Sequence, residues 1–319
     1  MKIKPMKARD WIPSKVIFPC YYQVKIDGVR ALNLDGKLVA RTLKPHNNRY
    51  ITEKYSKPEY KGFDGEMILT DIGPRHPDVC RETSGAIRRE HGEPDVTWYV
   101  FDYVTEETIN LPYSDRLRLL EECVEELNDP SIEVVTTSTC FSMEEFEELD
   151  SAALELGYEG SMLKSIHATY KQGRSDKNMQ SWRIKRFIEE ECLVTSISEG
   201  NSNQNEAKIN ALGHTERSSH QENLVPNGQV GQIHGVTLKD MKDPTNGKVL
   251  VPKGSNITIG PGELTLSERL HILKNPSILV GNVIVYKAFP KGIKDKPRFP
   301  TFSRIWGSYE DWKLENKDE

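Results

Sequence analysis

Alternating apolar and polar positions dominate the first hundred residues and predict strands. Tyr21 to Lys25 and Val29 to Leu34 read as two of them, and Asp35-Gly36 reads as a tight turn into a third at Leu38 to Arg41. Phe63 to Leu69 and Val96 to Val104 carry the β-branched and aromatic content of further strands. The period then changes. Leu117, Leu120, Val124 and Leu127 fall on one stripe of a helix over Pro112 to Leu127. Phe146, Leu149, Ala153 and Leu156 give the apolar face of a second helix, with Ser142 and Glu145 spaced as a capping box and Gly157 at its end. Tyr158 to Lys164 and Ser181 to Phe187 return to strand. Antiparallel sheets flanked by helices make this part α+β.

After Phe187 the texture shifts. Cys192 to Ser198 is strand-like, and Glu199 to Gly235 is polar, rich in Asn, Ser, Gly, Gln and His. Val236 to Leu238, Asn256 to Ile259 and Asn282 to Ala288 supply more strands, with a helix expected at Thr265 to Leu273. Short strands around one helix suit a small β-barrel, which predicts domains at 1–188 and 189–319. The polar stretch at about 199–235 is too long for an ordinary turn, so it is either a surface loop or a functional insertion.

Composition narrows the class. A chain of 319 residues can bury two cores of ordinary size. Its apolar runs are too short to cross a bilayer as helices, and Met1 to Trp11 lacks the apolar core of a signal peptide. The 5 cysteines are scattered, with no Cys-x-x-Cys pair, so reduced buried thiols fit better than disulfides or a zinc ribbon. An intracellular soluble monomer is expected. The net charge of −5 is unevenly spread: residues 1–61 hold 14 Lys/Arg against 5 Asp/Glu, residues 105–160 hold 2 against 16, and residues 164–187 hold 7 against 1. That segregation leaves room for a basic track along a polyanion.

The chemistry concentrates in ordered motifs. Lys25-Ile26-Asp27-Gly28-Val29-Arg30 sets an amine, a carboxylate and a guanidinium close together, with Lys25 and Asp27 on one side if the strand continues and Gly28 allowing close backbone approach to a ligand. A hairpin with solvated charges is the plain alternative. Arg41-Thr42-Leu43-Lys44-Pro45, Phe63-Asp64-Gly65-Glu66, Tyr99-Val100-Phe101-Asp102-Tyr103, Glu159-Gly160-Ser161-Met162-Leu163-Lys164, Trp182-Arg183-Ile184-Lys185-Arg186 and Arg298-Phe299-Pro300-Thr301-Phe302-Ser303-Arg304 follow in order. One Lys-x-Asp-Gly-x-Arg arises by chance in roughly one chain in several hundred of this length, and the ordered set is far rarer.

This array resembles the covalent nucleotidyltransferases, and among them the ATP-dependent DNA ligases of the minimal viral type. The resemblance extends to the Phe-Pro-Cys lead-in at 18–20 and to Tyr170-Lys171-Gln172-Gly173-Arg174-Ser175. It implies a nucleotidyltransferase domain followed by an OB-fold, phage or viral coding, and sealing of 3′-hydroxyl/5′-phosphate nicks in duplex DNA through a lysyl-AMP intermediate and a DNA-adenylate. ATP is expected rather than NAD because only 24 residues precede Lys25, leaving no room for an additional N-terminal domain. A GTP-using mRNA-capping guanylyltransferase, an RNA ligase and a non-catalytic OB-fold nucleic-acid binder are the alternatives.

Roles follow from the residue types and the resemblance together. A lysine attacks phosphorus as a neutral amine, yet with a pKa of about 10.4 roughly one part in a thousand is neutral near pH 7.4. Neighbouring cations, a metal ion and desolvation raise that share. Lys25 is the expected nucleophile, with Arg30, Arg183 and Lys185 neutralising the phosphoryl oxygens. Glu66 and Glu159 are the expected ligands of Mg²⁺ (or Mn²⁺), which needs few protein carboxylates beside substrate phosphates. The resemblance adds ribose contact for Glu66, a purine platform at Phe101 and pyrophosphate orientation by Arg298. It also implies that Asp27 helps to organise sealing. Core packing is the plain reading of Phe101, whereas base stacking would contribute about 1–3 kcal/mol. Arg41 is expected on the 5′-phosphate of the nick, Lys44 on DNA, and Lys208 and Arg217 on DNA from a latch-like insertion.

Overall fold

The structure is a computed structural model that describes residues 3–176, 178–242, 247–289 and 296–316. The chain divides into two compact units, Met1–Lys185 and Arg186–Glu319. Both are mixed α+β, and among the described residues no helix is long and apolar enough to cross a membrane. All five cysteines are free thiols.

The first unit holds two five-stranded sheets. One runs Lys37–Ala40, Val29–Leu34, Phe63–Leu69, Val96–Tyr103, Ile132–Val134. The other runs Arg9–Asp10, Ser181–Lys185, Gly160–Lys164, Cys20–Lys25, Thr137–Cys140. The Asp35-Gly36 turn forms as expected, with positive φ at both residues (52° and 78°), the geometry that matches strand twist in a two-residue hairpin. Trp98, Phe63, Tyr55 and Leu117 build a core against the first sheet, and Phe146, Trp182, Leu163 and Tyr22 build one against the second. The helices Tyr113–Leu127 and Met143–Glu155 cover these cores with the stripes that the spacing predicts, except that Leu156 lies past the end of the second helix and is exposed. At Ser142 the capping departs from a reciprocal box. Its hydroxyl accepts from Glu145 N–H, but the Glu145 carboxylate reaches past the cap to Phe141 N–H at 2.8 Å.

In the second unit the sheet order is Asn256–Ile259, Leu224–Thr237, Ile188–Asn203, Asn282–Phe289, Arg298–Ser308. Asn282–Phe289 is an interior strand buried on both faces, with Ile284, Tyr286 and Ala288 in the main core and Val283 packed with Leu238 and Trp312 on the other side. The end strands meet again at one bridge, where Gly260 N–H donates to Pro300 O and Phe302 N–H to Gly260 O, both at 2.9 Å. Among the described residues the expected barrel is therefore a curled sheet closed by this bridge rather than a continuous ring of strands. Thr265 and Glu268 do form a reciprocal capping box on the helix Leu266–Lys274.

Segment 199–235 is no structureless loop. Ile188–Asn203 and Leu224–Thr237 pair as far as Asn203 with Leu224, and a smaller hairpin, Ala207–Ile209 with Thr215–Arg217, extends beyond them. A two-stranded ribbon exposes both faces, so its residues are polar on both, and the alternation that marks a half-buried strand is missing.

Candidate active site

Lys25 is the last residue of its strand and stands opposite Gly160 in the ladder, which sets Glu159 beside it. Gly160 has φ of +153°, and a Cβ there would lie 2.3 Å from Ile184 O, so the strands can meet only with glycine next to Glu159. Glu159 is sealed from solvent while Lys25 is partly open, and their side chains form an ion pair. Lys185 Nζ lies 2.8 Å from the other oxygen of the same carboxylate. One buried carboxylate thus holds two amines that are distant in sequence.

Glu66 faces this group from the first sheet. Its ladder partner is Arg30. Burial pushes its carboxyl up to about 7; Arg30 and Lys25 pull the other way, while Asp64 and Glu159 push further up. Arg30 itself is committed along one edge to Asp64, Nε to Oδ1 at 2.6 Å and Nη2 to Oδ2 at 2.7 Å, and its Cζ is 4.6 Å from the centre of the Phe101 ring. Burial works against the Arg30 charge, and the Asp64 carboxylate more than offsets it.

Several expectations are corrected. Asp27 lies beyond the strand end, so it does not share a strand face with Lys25. A Cβ at Gly28 would lie 2.6 Å from Met67 O, so this glycine serves close backbone packing against Phe63–Leu69. The side chain of Arg183 is paired with Asp10, Nε to Oδ1 at 2.7 Å and Nη2 to Oδ2 at 3.3 Å, and ties down the parallel strand Arg9–Asp10. Tyr99, Phe101 and Tyr103 do not share one face. Val100 pairs with Gly65 and Asp102 with Asp64, which leaves Phe101 as the extra residue of a bulge. Tyr99 and Phe101 join a small cluster with Ile26 and Ile68, whereas Tyr103 packs edge-on to Phe63 in the main core.

Arg41 and Lys44 lie on the exposed turn after Lys37–Ala40, where Ala40 N–H donates to Lys44 O and Leu43 N–H to Ala40 O, both at 2.8 Å. Lys208, Arg217 and Arg298 belong to the second unit. Lys208 is exposed, 3.7 Å from Glu206. Arg217 folds back to donate to Asn205 O, and Arg298 has Phe289 and Phe299 at 5.5 and 5.2 Å. Among the described residues no group of three or more His, Cys, Asp or Glu could hold a metal ion. The donor chemistry that remains, Glu66 with Glu159, suits an oxygen-seeking cation that keeps waters and takes phosphate oxygens as ligands.

Sequence reasoning missed Asp64, Asp10, Lys164 and Tyr113. Asp64 and Lys164 stand inside the motifs, so their position was a signal; Asp10 and Tyr113 have none. Lys164 is buried, its Nζ donating to Phe101 O at 3.1 Å and to Tyr113 Oη at 3.0 Å.

The family model for the ATP dependent DNA ligase domain matches residues 3–185. A DNA ligase of Thermococcus fumicolans is 25% identical over 92% of this chain and 56% of its own length. One of Thermococcus onnurineus is 28% identical over 97% of this chain and 58% of its own. The chain thus spans a little over half the length of these curated relatives. Among solved structures, one from a structure-function study of Lig E DNA ligases superposes with a TM-score of 0.68 at 21% identity, covering 96% of this chain and 100% of that one. Chlorella virus DNA ligase-adenylate gives 0.51 at 21% identity, covering 95% and 98%. These structural likenesses concern the fold.

Proposed function

This chain belongs to the ATP dependent DNA ligase domain family, and on that footing we propose that it seals nicks in duplex DNA with ATP. The observation that carries this reading is the single buried carboxylate of Glu159 shared by Lys25 and Lys185. An amine meant only for solubility has no reason to sit against a sealed carboxylate and a second amine.

In the proposed reaction the Lys25 amine attacks the α-phosphorus of ATP. A P–N bond forms, the bond to the β-phosphate breaks and pyrophosphate leaves. AMP then passes to the 5′-phosphate of the nick, which frees the amine. The 3′-hydroxyl attacks that 5′-phosphorus, forms the phosphodiester and expels AMP. Lys185 is the cation placed to balance charge on the transferring phosphoryl group. Glu66 and Glu159, with the nucleotide's phosphates, would hold Mg²⁺ (or Mn²⁺), which supplies charge neutralisation there. Phe101 offers its ring to the base. Asp27 is assigned to organising the sealing step, Arg41 to the nick's 5′-phosphate, Arg298 to pyrophosphate, and Lys44, Lys208 and Arg217 to DNA. Arg30 and Arg183 act in this scheme by holding Asp64 and Asp10, so their effect on the nucleotide is indirect.

A nick-sealing assay with ATP, GTP and NAD in parallel tests the proposal. Sealing is expected with ATP alone. Adduct formation from GTP without sealing would instead support the capping-enzyme reading.

A further inference from the structure

The bulge at Phe101 frees a backbone carbonyl that a regular ladder would have used, and two side chains from outside the sheet converge on it. Tyr113 Oη, at the first turn of its helix, donates to Phe101 O at 2.7 Å, and Lys164 Nζ donates to the same oxygen at 3.1 Å. The two donors also touch each other, Lys164 Nζ to Tyr113 Oη at 3.0 Å, and Gln23 Nε2 completes the hydroxyl's set at 2.9 Å. Lys164 Nζ lies 4.6 Å from the centre of the Phe101 ring and 4.3 Å from that of Tyr113.

The charges around this amine are already matched. Asp64 is taken by Arg30, and Asp102 by Arg116 at 2.7 and 3.3 Å. Tyr170 donates to Asp64 at 3.1 Å. Lys164 is therefore a buried cation whose neighbours in this cluster are a carbonyl, a hydroxyl and two aromatic faces. Burial is costly for an ammonium held this way and pulls it down to about 7; Arg30 and Arg116 add to the effect, while Asp102 and Asp64 oppose it. A structural lysine is cheaply replaced by an apolar residue at such a position. Its place against the ring of the bulged Phe101, which also has Arg30 Cζ at 4.6 Å, is better explained by what that ring does.

We propose that Lys164 is a positioning residue for the nucleotide, acting through Phe101: with Tyr113 it fixes the bulge that aims the ring, and its charge draws electron density from the ring so that a purine stacks on it more tightly. The inference rests on the ATP-dependent reading above. A cation beside an aromatic face polarises it, and stacking is sensitive to that polarisation.

The test measures Lys25 adenylation by α-labelled ATP in the full-length chain. Lys164→Met should raise KM for ATP about ten-fold with kcat within about two-fold, and Tyr113→Phe should raise it about three-fold. In the wild type KM should climb from pH 6 to 8.5 as Lys164 loses its proton. In Lys164→Met it should stay high and nearly flat. A pH dependence that persists unchanged in the variant belongs to Glu66 and overturns the role of the Lys164 charge. Lower melting temperatures with KM unmoved would make both side chains structural only. Should Lys164→Met fail to fold, Tyr113→Phe decides the matter by the same readout, because it removes one oxygen. A wild type that takes no label from ATP would sink the nucleotide reading and this inference together; a labelled wild type with unaltered variants would sink only this one.

Discussion

Lys25 and Glu159 meet because Lys25 stands opposite Gly160 in the ladder, and the pair joins an amine 18% exposed to a carboxylate 1% exposed. That asymmetry suits a group that must reach a ligand while its partner stays fixed. Lys25→Ala should abolish the enzyme–AMP adduct yet fold, because Glu159 keeps Lys185 at 2.8 Å. The stability loss should be about 1–2 kcal/mol, below the roughly 3–5 kcal/mol expected when a buried charge loses its only partner. Persistent labelling of the variant by α-labelled ATP would remove Lys25 from the nucleophile's role.

Arg41 is exposed on a turn whose two backbone hydrogen bonds close without its side chain. Arg41→Ala should therefore accept AMP at nearly the wild-type rate and transfer it poorly to a 5′-phosphorylated nick, by about ten-fold or more for a lost bidentate phosphate contact. Single-turnover measurement of the two steps separates them. Equal slowing of both would put Arg41 in the nucleotide pocket.

The ribbon of the second unit predicts a separable DNA contribution. Replacing residues 204–223 with a short Gly/Ser turn leaves the pairing of Glu199 with Val230 and of Asn201 with Pro226 in place. Lys25 adenylation should not change, and affinity for nicked duplex should fall. Because Arg217 is turned inward to Asn205 O and Lys208 has Glu206 at 3.7 Å, the salt slope should drop by only about one unit. Full affinity and sealing in the shortened protein would exclude the ribbon from DNA binding.

His46 predicts an acid-sensitive fold. Its Nε2 is buried without a hydrogen-bond partner among the described residues, and burial pulls the imidazole from 6.5 down to about 4. The unfolded chain then binds a proton that the folded one refuses, so stability is present above pH 6.5 and is lost as pH falls from there towards 4. At about 1.4 kcal/mol per pKa unit the loss comes to roughly 3–4 kcal/mol. Urea midpoints for the wild type and His46→Leu between pH 7 and 4 check this; parallel curves would assign the acid sensitivity to other groups.

Much of this protein is local and was legible in the sequence. Val29–Leu34 and Phe63–Leu69 fall where alternation puts them, the Asp-Gly turn follows from its need for positive φ, and both long helices follow from their apolar stripes. The motif order also implied that Lys25, Glu159 and Lys185 act together, because a shared chemistry needs those groups at one place. Pairing between segments was not legible. Arg30 goes to Asp64 and Arg183 to Asp10 because ladder register decides which carboxylate a cation can reach, and register is not written in spacing. One extra residue opposite Gly65 turns Tyr103 away from Phe101 and leaves a carbonyl for Lys164 and Tyr113, which come from a different sheet and a helix. The pairing within the polar insertion was not legible for a related reason: with water on both faces, its strands carry no hydrophobic period. Sequence periodicity reports which side of an element meets the core, whereas the partners across a sheet are set only when the elements pack.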